Sequence, residues 1–157
     1  MRRGEGIVGI ALTLLLAAAA HAENQASLEG HWWAEGGSAQ VEIHGCGDEL
    51  CGTIAWLRSP FDEHGCPMRD RENPARKLRD RDLIGLRILS GLRPTGNGAW
   101  TGGRIYDPAG GRTYSATLYV DDANRVRLRG YIGFELLGRT TTWIRVGYEG
   151  QCDPSAS

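Results

Sequence analysis

Trp100-Thr-Gly-Gly-Arg-Ile-Tyr-Asp-Pro108 decides the reading of this chain, together with the run over 131–145 that holds Tyr131-Ile-Gly133 and Leu136-Leu-Gly-Arg-Thr-Thr-Thr-Trp-Ile-Arg145. Both runs mix β-branched and aromatic strand formers with glycines and turn residues, the pattern of a small, strongly bent antiparallel sheet. Working outward, period-two alternation predicts strands at 31–35, 39–43, 52–57, 83–89, 99–106, 113–120, 125–131 and 140–146. The clearest is Arg125-Val-Arg-Leu-Arg129, where Val126 and Leu128 face one way and three arginines the other. Turn residues lie between these runs, as in Pro94-Thr-Gly-Asn-Gly98 and Asp107-Pro-Ala-Gly-Gly111. About eight short strands and almost no helix predict an all-β chain, a single small up-and-down barrel or a sandwich. The one long link is the segment 58–82.

The first residues set the expected compartment. Arg2 and Arg3 precede an apolar run at 7–20, and Ala20-His-Ala22 supplies small residues for cleavage. This predicts a signal peptide over 1–22, cleaved near Ala22, and one domain over 23–157 that is periplasmic or secreted. No second apolar segment follows, so no membrane span is expected after cleavage. Of 18 basic and 19 acidic residues, the leader removes Arg2, Arg3 and Glu5, leaving a formal charge of −2. That balance argues against a nucleic-acid partner.

Four cysteines in an exported chain point to two disulfides. Cys46 and Cys51 bracket Gly-Asp-Glu-Leu, read as a four-residue hairpin loop that sets the two cysteines face to face. Cys46–Cys51 is therefore expected, with Cys66–Cys152 tying the central segment to the tail. His44-Gly-Cys46 and His64-Gly-Cys66 repeat one tripeptide that reduced thiols would turn into a zinc or copper(I) set. In an oxidising compartment disulfides prevail, so neither metal nor cofactor is expected.

Gly30-His-Trp32 opens the first strand and Trp143-Ile-Arg145 closes the last. Trp32 capped by Arg145 matches the cation–π contact that seals one end of lipocalin-like, calycin-type barrels. Further pieces are Cys51-Gly-Thr-Ile-Ala-Trp-Leu57, Asp70-x-x-Asn73-Pro74 before Leu78-Arg79, Leu83-Ile-Gly-Leu86, Trp100-x-Gly-Gly-x-Ile-Tyr-Asp-Pro108, Tyr114, Gly130-Tyr-Ile-Gly133 and Leu137-Gly-Arg-Thr140. Taken together, the chain resembles the bacterial exported family known as domain of unknown function 2147. The resemblance implies a lipocalin-like barrel carried to the periplasm or beyond, and no agreed activity. Asp82 departs from the family, which more often has proline there.

Segment 58–82 is long enough to be a lid or binding loop. Asp70 with Asn73-Pro74 reads as backbone capping, while Arg79 and Arg81 are candidate contacts for an anionic ligand. Asp107-Pro108 reads as a turn, with Asp107 also a candidate ligand contact. Arg104, Tyr106, Tyr131 and Arg139 are expected to converge inside the barrel as a few polar groups among apolar walls. No Gly-x-Ser-x-Gly, His-Glu-x-x-His or phosphate loop is present, so no catalytic residue is assigned. The leading expectation is a binding module for a small hydrophobic or amphipathic molecule. The alternatives are an envelope interaction protein acting through 58–82, with no partner specified, and a hydrolase built on carboxylates.

Overall fold

A computed structural model describes residues 28–147. The leader expected at 1–22, the start of the domain and Cys152 lie outside the described residues. Eight strands run in chain order: β1 (Gly30–Trp33), β2 (Ala39–Cys46), β3 (Glu49–Leu57), β4 (Arg87–Pro94), β5 (Ala99–Asp107), β6 (Arg112–Asp122), β7 (Arg125–Tyr131) and β8 (Arg139–Arg145). Each pairs antiparallel with its neighbour, and β1 pairs with β8 to close an up-and-down barrel. Closure joins the first strand to the last through Trp32–Arg145 and Trp33–Ile144. No helix among the described residues is long and apolar enough to cross a membrane.

The barrel arises from alternation. Val126 and Leu128 are buried while Arg125 and Arg127 are exposed, and across β8 Val126 meets Trp143. Trp32, Val41, Ile43, Leu50, Leu89, Leu92, Trp100 and Leu118 complete a continuous interior core. Two sequence expectations need correction. The apolar run 83–89 is not one strand: β4 begins at Arg87, and residues 83–86 approach β3 instead through bonds from Gly85 N to Ile54 O and from Ile54 N to Leu86 O. The β2–β3 link is a two-residue turn at Gly47 and Asp48, not a four-residue loop. Cys46 thus pairs with Glu49 and Cys51 with His44, and the Cys46–Cys51 disulfide spans the ladder diagonally, with 5.9 Å between Cα atoms.

Candidate functional site

The two ends of the barrel differ in chemistry. At one end the Arg145 guanidinium carbon stands 4.3 Å from the centre of the buried Trp32 ring, and Trp32 Nε1 donates to Leu28 O at 2.9 Å. Arg145 also donates to Glu29 O at 2.9 Å and Ala123 O at 2.8 Å, lashing the chain's entry and the β6–β7 turn to β8. The glycine of Gly-x-Trp has a reason here. Gly30 has φ +122, and a Cβ on it would stand 3.1 Å from Arg145 Nη1. This end is closed by packing.

The other end is open. A cavity of about 600 Å³ has Leu128 and Trp143 in its lining with Ala34, Ile88 and Ile105, and Tyr114, Thr141, Glu35, Asp107 and Arg139 add its polar groups. Arg139 Nη2 lies 3.0 Å from Glu35 Oε2. Asp107 Oδ1 accepts from Ala109 N at 3.0 Å, the turn bond its place before proline predicts. Asp107 therefore serves the turn and lines the cavity.

Of the four residues expected to converge inside, only Arg139 lines this cavity. The cause is a bulge. Trp100 pairs with Leu118 and Gly103 with Ala116, so β5 spends three residues where β6 spends two, at Gly102 with φ +74. That extra residue reverses the parity of everything after it, turning Ile105 and Asp107 inward and Arg104 and Tyr106 outward. Arg104 and Tyr106 instead line a second cleft of about 330 Å³, between the long link and the barrel wall, with Asn73, Arg81 and Arg87. Tyr131, the last residue of β7, pairs with Ser115 of β6 and lines neither space. Arg79 is also absent from both linings and donates from Nε to Asn73 O at 2.7 Å, a bond within the link.

The link is welded to the wall by a group the sequence did not disclose. Asp70 is fully buried. It accepts from Tyr106 Oη at 2.5 Å, from Asn73 Nδ2 at 2.8 Å, and from Arg81 Nε and Nη2 at 2.8 and 2.7 Å. The capping role read for Asp70 understates it, because Tyr106 lies 36 residues away and only the fold brings it near. Burial, and then the bond to Asp70, raises the Tyr106 pKa above its ordinary 10.0. A raised folded value favours the protonated phenol, so its contribution to stability is complete below about pH 10 and fades as pH climbs through the folded value. Denaturant midpoints measured from about pH 9 to about pH 11 are expected to fall less steeply for Tyr106→Phe than for the parent. Some slope should remain, because the bond to Glu135 raises Tyr119 in the same sense.

Residues 30–145 match a family described as an uncharacterized protein conserved in bacteria, DUF2147. The chain belongs to this family. A solved structure, protein HP1028 from Helicobacter pylori, is similar at 23% identity and a TM-score of 0.68, over 78% of this chain and 84% of that one. That protein is described as belonging to the lipocalin family, and at this identity the likeness establishes a lipocalin-like fold. No curated protein matches the chain.

In this DUF2147 domain the two His/Cys tripeptides do not form the four-ligand set considered from sequence. The group that gathers is His44, Cys46 and Cys51, with ligand atoms within 4.8 Å of one another. Both of its sulfurs are bonded to each other. Cys66 is exposed on the long link, and its expected partner Cys152 lies outside the described residues.

Proposed function

We propose that this DUF2147 domain is an exported binding module, periplasmic or secreted, that holds a small apolar or amphipathic molecule in the open end of its barrel. The observation that carries the reading is the cavity of about 600 Å³, with Ile88, Ile105, Leu128 and Trp143 among its walls and Arg139, Glu35 and Asp107 among its polar groups. Small-ligand sites span about 300–1,000 Å³ and combine such walls with a few polar groups. A barrel packed throughout would leave no room for cargo. The two arginines first considered as anion contacts, Arg79 and Arg81, are occupied within the link.

Native mass spectrometry on detergent-free protein should show a non-covalent adduct that disappears on denaturation. A sharper check blocks the cavity. Gly130 lines it, and a Cβ there would meet Ile105 Cγ2 at 3.6 Å and Tyr114 Cβ at 3.7 Å, ordinary contact distances. The longer side chain of Gly130→Leu must then enter the cavity. Affinity for a fluorescent fatty-acid probe is expected to fall about a hundredfold, with little change in Tm. Undiminished probe binding by a folded Gly130→Leu protein would refute the assignment.

A further inference from the structure

Every large apolar side chain exposed among the described residues belongs to the end of β3, the long β3–β4 connection or the β7–β8 connection. All of these lie at the open end. The most exposed are Ile132, Phe134, Leu136 and Leu137, at 69, 78, 87 and 80%. Four such residues within six positions form an apolar projection beside the cavity, and a patch of this kind marks a contact surface.

The projection is held in shape by polar groups beneath it. Arg129 donates to Glu135 O at 2.8 Å, to Leu136 O at 3.0 Å and to Thr140 Oγ1 at 2.8 Å. Tyr119 Oη donates to the Glu135 carboxylate at 2.6 Å. Leu137 N reaches Phe134 O at 3.1 Å, and Gly138 N reaches Glu135 O at 3.0 Å. The carbonyls of residues 134–136 are thus satisfied from within while the apolar side chains point away from the barrel.

We propose that this projection docks the open end of the barrel on a lipid bilayer surface. Two features favour a bilayer over a protein partner. A stable protein interface takes roughly 20–30 residues a side, far more than one short connection offers, whereas a bilayer accepts apolar side chains without matched shape. Satisfied carbonyls also allow shallow burial among acyl chains without leaving polar groups unpaired. Arg129 at the base of the projection is committed to the connection's own carbonyls and Arg139 to Glu35, so the apolar side chains carry the contact. Arg139 both ends the connection and lines the cavity, so an amphiphile can pass from bilayer to barrel with little exposure to water. This last step rests on the cargo reading above; docking does not.

The test is co-sedimentation of the processed protein with mixed phosphatidylcholine–phosphatidylglycerol vesicles, compared with the triple variant Phe134→Ser, Leu136→Ser, Leu137→Ser. Partitioning is expected to fall about a hundredfold or more, with Tm unchanged because the three side chains are exposed in the free protein. Phenylalanine exchanged for an emitting ring, Phe134→Trp, should show blue-shifted fluorescence on adding vesicles. Parent protein left in the supernatant, a triple variant that sediments equally, or an unshifted Phe134→Trp spectrum would each overturn the proposal. So would a parent dimer that the triple variant converts to monomer without vesicle binding by either. Gly130→Leu protein should still dock, so failure of docking and failure of the cargo reading are separable.

Discussion

Asp70→Ala is expected to lower the free energy of unfolding by about 3 kcal/mol and to free the β3–β4 connection from the barrel wall. Removing one member of a buried ion pair commonly costs about 3–5 kcal/mol, and the lower figure applies because the Arg81 side chain is 38% exposed and can turn to water. Tyr106 and Asn73 would lose their shared acceptor as well. Asp70→Asn keeps the shape and one oxygen, so its cost should be smaller, about 1–2 kcal/mol. Urea unfolding reads the stability, and limited proteolysis within 58–82 reads the release. A resistant link with an unchanged midpoint would show that the Asp70 cluster does not hold it.

That cluster marks the limit of what the sequence could tell. The strands were legible wherever alternation was uninterrupted, as in Arg125-Val-Arg-Leu-Arg129, because burial on one face leaves a period-two trace. The Trp32–Arg145 contact was legible only through its resemblance to the pair that seals lipocalin-like barrels, since nothing in strand periodicity joins the first strand to the last. Parity failed at Gly102, where a bulge invisible in composition turned Arg104 and Tyr106 outward. The run 83–89 misled because Leu86 is buried without belonging to a strand, its carbonyl accepting from Ile54 N of β3 just before β4 begins. Asp70 looked like a turn residue because its Tyr106 partner becomes a neighbour only once β5 is in place. In the cavity, Arg139 and Asp107 were picked out for their polarity, while Ile88, Ile105 and Leu128 resembled ordinary core.

Trp32→Ala should have the larger effect, a loss of about 3–5 kcal/mol. The ring is fully buried at the closed end, its Nε1 bonds Leu28 O, and its face lies under Arg145. Truncation leaves a cavity, an acceptor without its donor and a guanidinium without its ring. Arg145→Ala alone should cost less, and the double-mutant cycle isolates the cation–π coupling at roughly 0.5–2 kcal/mol. Thermal and urea unfolding of the four proteins measure it. Strict additivity would mean that the arginine does not act through the Trp32 ring.

The barrel's last seam has a consequence in time. All other ladders join consecutive strands, but β1 meets β8 through only Trp32–Arg145 and Trp33–Ile144, and Arg145 bonds Glu29 across 116 residues of chain. Hairpins between chain neighbours form early because little entropy is lost in bringing them together, whereas the ring can shut only after the whole meander has assembled. Interactions made after the folding barrier slow escape from the native state without hastening arrival. The Arg145 clasp thus governs how long a folded molecule lasts more than how quickly it is made.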